Sequence, residues 1–145
     1  MSRQALVFSL TLAAGAGACR GREPEPRVAA ASPTLRTDVK VIDISLGRAV
    51  DTSRRVAERL GTFAPGDTIY ASVVTEGTAR HGVLKATWTY QDSEVLSEAS
   101  LEIAPTETTV TEFHISRPEG LRPGNYQVEI FFDGASAGKR AFSVK

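Results

Sequence analysis

The stretch that decides the fold is Leu84-Lys85-Ala86-Thr87-Trp88-Thr89-Tyr90. Apolar side chains at positions 84, 86, 88 and 90 alternate with lysine and threonine at the positions between them. Successive side chains of a β-strand point to opposite faces, so this period of two predicts a strand with one face in a core and the other in water. The same alternation predicts that Trp88 is a core residue.

Further runs of β-type residues lie on both sides of this strand, and no sustained helical period interrupts them. Gly, Pro and Asp separate the runs, a pattern typical of an all-β domain. The runs cover residues 39–46, 68–75, 95–103, 109–116, 126–132 and 139–144, with residues 133–138 closing a hairpin between the last two. We therefore predict an antiparallel β-sandwich of about seven strands over residues 38–145.

The composition narrows the class of protein. The chain has 145 residues, with 17 Lys+Arg against 17 Asp+Glu, and 41% of its residues are hydrophobic. This balance is not basic enough for a nucleic-acid-binding protein, and the apolar content is too high for a disordered chain. A single cysteine excludes a disulfide scaffold. The sequence therefore predicts one ordinary domain preceded by a leader, with no nucleic acid as partner.

The leader is residues 1–18, MSRQALVFSLTLAAGAGA. It carries one charge, Arg3, followed by an uncharged, largely apolar run of 14 residues from position 5 to position 18. A helix needs about 20 residues to span a bilayer, so the run is typical of a signal peptide that is removed. It ends in three small residues, and the only cysteine of the chain, Cys19, follows them directly.

The junction Ala16-Gly17-Ala18-Cys19 resembles the lipobox of bacterial lipoproteins. The resemblance implies that the Cys19 thiol is acylated and that Cys19 is the first residue after cleavage. Ala16 stands where leucine is usual, so an ordinary cleavage site with an unmodified Cys19 is the alternative. Arg20, rather than aspartate, follows the cysteine, which by resemblance to the enterobacterial sorting rule favours the outer membrane. We expect a chain anchored by lipid in the bacterial cell envelope, facing the periplasm or the cell surface.

Residues 20–37, RGREPEPRVAAASPTLRT, contain three prolines, four arginines and no aromatic residue. Such a segment buries too little apolar surface to offset the entropy lost on ordering. We predict that residues 19–37 are the lipidated cysteine and a flexible tether, which reaches at most about 60 Å when extended.

Leu121-Arg122-Pro123-Gly124-Asn125-Tyr126 resembles the corner that leads into the penultimate strand of immunoglobulin and fibronectin type III domains. In those domains the tyrosine hydroxyl bonds to nearby backbone, and a buried tryptophan lies on the third strand, where Trp88 falls here. The lack of paired cysteines resembles the cysteine-free bacterial relatives. The resemblance implies an immunoglobulin-like sandwich over residues 39–145. It implies no particular activity, because such domains serve adhesion, chaperoning, carbohydrate binding and spacing.

Residues that carry chemistry are sparse. His81 lies in a loop and His114 on a strand, without the spacing of metal ligands. Asp92-Ser93-Glu94 reads as a turn without the further oxygen ligands of a calcium site, and there is no Gly-x-Ser-x-Gly elbow. We predict a protein that is not an enzyme and has no cofactor and no metal.

The candidate binding residues lie in a 21-residue connection, 47–67, which is longer than most loops of compact domains. Residues 54–60 could form a short helix or an extra edge strand. The connection carries Arg48, Arg54, Arg55 and Arg59, although the chain from residue 37 onward has 12 basic and 15 acidic residues. Arginine is enriched at interface hot spots, so these residues are candidate partner contacts, and the alternative is a solvated loop with scattered ion pairs.

Phe131 is a further candidate, because strict alternation with Tyr126, Val128, Ile130 and Phe132 turns it outward. The leading hypothesis is a lipid-anchored, non-catalytic envelope protein whose domain binds another protein as an accessory or scaffolding subunit of a membrane complex. The alternative is a module that binds cell-wall glycan or a small ligand. That alternative needs an exposed aromatic platform, for which the candidates are Trp88, Tyr70 and Tyr90.

Overall fold

The computed structural model describes residues 38–145, which form β-strands and no helix. The predicted signal peptide, Cys19 and the predicted tether lie outside this range. The strands are β1 (Lys40–Gly47), β2 (Thr62–Phe63), β3 (Ile69–Glu76), β4 (Gly82–Tyr90), β5 (Glu94–Ile103), β6 (Thr108–Ile115), β7 (Gly124–Phe132) and β8 (Ala135–Val144). Within residues 38–145 there is consequently no helix able to cross a bilayer.

The strands form two sheets. One has three strands in the order β1-β3-β6, and the other has five in the order β2-β8-β7-β4-β5. All pairings are antiparallel except the short one between β2 and β8. The order β8-β7-β4 places the penultimate strand between the last strand and β4, as strands G, F and C are arranged in immunoglobulin-like domains. The predicted all-β, immunoglobulin-like sandwich is confirmed.

The core lies between the sheets and is built from the inward-facing positions of the alternating strands. Leu84, Ala86 and Trp88 of β4 are all buried, as the alternation predicted. Trp88 is only 1% exposed, and its ring meets Phe142 edge-on with the centroids 5.9 Å apart. The indole Nε1 of Trp88 donates to no acceptor among the described residues.

The corner before β7 has the geometry that the resemblance implied. The Tyr126 hydroxyl donates a hydrogen bond to the carbonyl oxygen of Arg122 at 2.6 Å. The Tyr126 ring is buried and stacks on Phe142, with a centroid separation of 5.2 Å. Burial raises the pKa of the Tyr126 hydroxyl above its usual value, because the phenolate would lose its hydration.

The connection between the last two strands is shorter than predicted. Only Asp133 and Gly134 separate β7 from β8, so the prediction of a connection over residues 133–138 was wrong. Both turn residues have positive φ, 47° and 84°, as a type I′ hairpin turn requires. Residues 135–138 continue the ladder past a bulge at Ile130 and Phe131 of β7.

The segment between β1 and β3 also differs from the prediction. Residues 54–60 form neither a helix nor a strand, although Val56 makes an isolated bridge with Val50. The extra edge strand is β2, two residues further on, and it pairs in parallel with Ser143 and Val144 of β8. This strand raises the count to eight.

Candidate functional site

The loop that carries the candidate arginines is ordered by one carboxylate, that of Asp51. Its Oδ1 accepts hydrogen bonds from the Ser53 amide at 2.8 Å, the Ser53 hydroxyl at 2.6 Å and the Arg55 amide at 3.0 Å. The Asp51 amide in turn donates to the carbonyl of Arg55 at 2.8 Å. These bonds to the charged form hold the pKa of Asp51 below its usual value, with the Ser53 hydroxyl as the largest cause.

The same loop is docked on β1. The Leu60 amide donates to the Leu46 carbonyl at 2.7 Å, which fills a hydrogen-bonding position at the open edge of the strand. Gly47 allows this approach, because a Cβ there would overlap the Val56 side chain and the carbonyl oxygen of Glu58. The loop therefore presents its arginines from a fixed backbone.

The structure divides the four arginines into two pairs of different character. Arg48 binds Asp67 at 2.8 Å, and Arg59 binds Asp43 at 2.9 Å. Arg54 and Arg55 are exposed, and no carboxylate of residues 38–145 lies within 4.0 Å of either guanidinium. The Arg48–Asp67 pair thus joins the two ends of the connection, and the Arg59–Asp43 pair joins the connection to β1. Arg54 and Arg55 face the solvent without an ion pair among residues 38–145, and Asp51 attracts Arg55 only at longer range.

Arg54 adopts a backbone conformation that side-chain-bearing residues rarely adopt. Its φ is 63°, in the left-handed region where a Cβ crowds the following carbonyl. Its amide closes the turn by donating to the Asp51 carbonyl at 2.9 Å. Strained residues of this kind cluster at functional sites, where the surrounding structure holds them in place.

Phe131 faces outward on the five-stranded sheet, as predicted, and is half-buried. Phe131 lies opposite Lys85, and the ammonium of that lysine is 5.8 Å from the centroid of the Phe131 ring. The outward ring therefore contacts a cation of its own domain. Leu101 lies opposite Leu84, on the other face of the sheet. The structure therefore does not join Phe131 to Leu101 in one apolar patch.

The three aromatic residues considered for a glycan platform do not form one. Trp88 is in the core. Tyr90 packs on Tyr126 at 4.9 Å, and the Arg122 guanidinium covers its ring at 4.3 Å from the centroid. Tyr70 belongs to the other sheet.

Among residues 38–145, no three side chains of His, Cys, Asp or Glu come together as metal ligands would. Sequence reasoning missed a different feature, the exposure of β5 at the edge of the larger sheet. Val95 is 55% exposed and Leu101 43% exposed, and both lie on this strand. The sequence does carry one sign of this exposure, since residues 86–116 contain six acidic residues and no lysine or arginine.

Comparison with known proteins finds likeness in structure only. No protein-family model matches the chain, and no curated protein matches it. The alkylpurine DNA glycosylase AlkC of Pseudomonas fluorescens superposes with a TM-score of 0.51 at 17% identity, over 75% of this chain and 31% of the glycosylase. A β-glucosidase of Erythrobacter marinus superposes with a TM-score of 0.53 at 12% identity, over 75% of this chain and 16% of the enzyme.

An immunoglobulin-like protein of Pseudomonas aeruginosa aligns over 75% of this chain and 98% of its own length, with a TM-score of 0.49 and 13% identity. The two enzymes are much longer than this chain, which spans less than a third of the glycosylase and less than a fifth of the glucosidase. At these identities the likeness to the two enzymes concerns the fold alone. Strand order, buried tryptophan and tyrosine corner together make this domain an immunoglobulin-like β-sandwich.

Proposed function

We propose that this chain is an exported, lipid-anchored and non-catalytic protein of the bacterial cell envelope. Its immunoglobulin-like domain binds another protein and acts as an accessory or scaffolding subunit of a membrane complex. The lipobox-like junction at Cys19 supports the anchor, and the tether of residues 20–37 supports a domain that stands off the bilayer. Two or more acyl chains give stable anchoring where a single chain does not.

The observation that carries the binding proposal is the contrast among the four arginines. Arg54 and Arg55 hold two positive charges without carboxylate partners from the described residues, on a loop that Asp51 keeps rigid. A rigid loop loses little conformational entropy when a partner binds, and arginine forms bidentate bonds with carboxylates. The partner surface that fits is therefore acidic.

Because the chain is anchored, a weak contact made by two arginines is sufficient for association with a partner in the same membrane. When two proteins share a membrane, association becomes effectively intramolecular, and a short flexible linker gives an effective concentration on the order of millimolar. The tether lets the domain search the surface near its anchor, and the two arginines then select the partner.

The test replaces the natural chain in cells with variants and measures the particle extracted from membranes in mild detergent. The natural chain is expected in a particle well above its own 15.5 kDa, with defined co-migrating subunits. Arg54→Glu combined with Arg55→Glu is expected to release it from that particle. The matched control is Lys40→Glu with Arg80→Glu, which reverses two exposed charges elsewhere and should leave the particle intact.

Retention of the particle in the Arg54→Glu, Arg55→Glu variant would remove these residues from the proposal. Migration of the natural chain as a lone lipoprotein would overturn protein binding and shift the proposal to a cell-wall glycan or a small ligand. The anchor is tested separately with Cys19→Ala, which is expected to move the protein from the membrane fraction to the aqueous fraction. A Cys19→Ala variant that stays in the membrane fraction would contradict lipid anchoring through this residue.

A further inference from the structure

We propose that β5 is a docking edge, to which an extended segment of another protein with alternating basic and apolar side chains adds as a further strand. This surface is distinct from the Arg54 and Arg55 loop, and the inference does not depend on that loop.

The first support is the unpaired backbone of β5. The strand is ten residues long and ends the five-stranded sheet, with β4 as its only neighbour among the described strands. Every second residue of an edge strand directs its N–H and C=O groups away from the sheet, so β5 offers a ready ladder for another strand. Main-chain hydrogen bonds to such an edge supply affinity, and side chains on alternate positions supply specificity.

The second support is exposed apolar surface on the same strand. Leu101 lies opposite Leu84, which is fully buried, yet Leu101 is 43% exposed. The cause is the unequal width of the sheets, since the smaller one ends at β6 and leaves the inner face of β5 without cover. β6 is also an edge strand, but it carries no large exposed hydrophobic side chain. The apolar contacts of an added strand therefore favour β5.

The third support is charge, and it identifies the occupant. The outer face of β5 carries Glu98, opposite Thr87, and Glu102, opposite Val83. Glu98 is paired with Lys85 at 2.7 Å, whereas Glu102 has no cation of residues 38–145 within 4.0 Å. No lysine or arginine occurs between residues 86 and 116, so β5 itself carries negative charge only. The cation that its neighbour β4 adds to this face is Lys85, which is already paired with Glu98.

One end of the strand is occupied by the domain itself. Arg122 pairs with Glu94 at 2.5 Å, and Arg117 donates to the carbonyl of Leu96 at 3.4 Å. A bulge also interrupts the ladder opposite Trp88 and Thr89. The free edge is consequently residues 97–103, about 23 Å of extended chain at 3.3 Å per residue.

These constraints specify the occupant. A segment of about seven residues pairs with residues 97–103 and places lysine or arginine on the face of Glu98 and Glu102. Its alternate positions carry valine, leucine or isoleucine, which cover Leu101 on the opposite face. Like charges across a strand pair are destabilising, so an acidic segment of the same pattern is excluded.

The experiment uses the full chain in detergent and the synthetic peptide Lys-Val-Lys-Val-Lys-Val-Lys with blocked ends. Binding is measured by fluorescence anisotropy of a labelled peptide, and strand addition by amide hydrogen exchange. We expect slower exchange confined to residues 97–103 and a Kd that rises with salt. The peptide Glu-Val-Glu-Val-Glu-Val-Glu is expected not to bind.

Two variants locate the contact. Glu102→Lys reverses the unshared charge and should weaken peptide binding by roughly threefold to tenfold, while Glu58→Lys makes the same change in the loop and should leave the Kd unaltered. Leu101→Lys places a charge on the inner face, as natural edge strands do to prevent pairing, and should abolish protection of β5. The Arg54→Glu, Arg55→Glu variant should bind the peptide normally, so failure of one proposal is distinguishable from failure of the other.

Two results would overturn the inference. One is peptide binding without slower exchange in residues 97–103, which means charge attraction without strand addition. The other is equal binding of the acidic peptide, which means that Glu98 and Glu102 select nothing.

Discussion

The sandwich has two lateral sides, and the chain covers the strand edges on one of them and leaves those on the other uncovered. On the side of β1 and β8, the chain covers its own edges: β2 pairs with the end of β8, Leu60 bonds to Leu46, and Arg140 donates to the Ile44 carbonyl at 2.7 Å. On the side of β5 and β6, neither edge strand has a neighbour on its outer side among the described strands. Because free edges invite pairing with other chains, a covered edge and an uncovered edge in one domain indicate different roles.

The largest loss of unfolding free energy is expected at β2, the strand that covers the end of β8. Phe63 of β2 is 1% exposed and meets Phe142 edge-on at 5.7 Å, so Phe63→Ala should lower the free energy of unfolding by about 3–5 kcal/mol. Leu101→Ala on the uncovered side should change it by no more than about 1 kcal/mol, because much of that side chain already contacts water. Urea unfolding followed by Trp88 fluorescence measures both. Equal losses would contradict the distinction between the sides.

A smaller effect is expected at the corner near the uncovered side. Tyr126→Phe removes the hydrogen bond to the Arg122 carbonyl and should cost about 1 kcal/mol of unfolding free energy. Tyr70→Phe is the matched control, because no group of residues 38–145 bonds to its hydroxyl. Urea unfolding distinguishes the two, and the prediction fails if the Tyr70 variant loses as much.

The smallest effect is expected in the connection between β1 and β3, where the hydrogen bonds of Asp51 depend on pH. The hydrogen bond from the Ser53 hydroxyl, followed by the Arg55 amide, holds the pKa of Asp51 below its ordinary value of 3.8. A lowered folded-state pKa means that the stabilisation is complete above the ordinary value and is lost as the pH falls through the folded-state value. We expect the Ser53 and Arg55 amide resonances to shift in that acid range while the core resonances remain in place. Asp51→Asn should abolish the step, and a step that persists would assign it to another group.

The alternating strands could be predicted from the sequence because their signal is local. In β4 and β7 every second residue enters the core, and that pattern is visible in the sequence without any knowledge of partners. The strand β2 could not be predicted in this way, because two residues carry no period and the strand with which they pair, β8, lies about 80 residues further along the chain. The turn at Asp133-Gly134 did have a signal, the dipeptide itself, but the small residues that follow it resemble a longer loop.

The candidate site was predictable in composition and not in arrangement. The concentration of arginines between β1 and β3 is visible in the sequence. Which of them are neutralised depends on Asp43 and Asp67, which lie 16 and 19 residues away from the arginines they bind. The exposure of β5 is equally non-local, since it results from a smaller sheet that ends one strand too early to cover it.

The parallel pairing of β2 with β8 also sets an order of events in folding. The β7–β8 hairpin closes through a two-residue turn, and hairpins form within about 1–10 μs. The partners Thr62 and Ser143 are 81 residues apart, so their pairing closes a long loop at a cost in chain entropy. The two residues of β2 make few contacts to offset that cost. We therefore expect β2 to join the sheet late. Until it does, the end of β8 is a further unprotected edge beside β5 and β6, and the transient species that carries it is the one most prone to misassembly when many copies fold together.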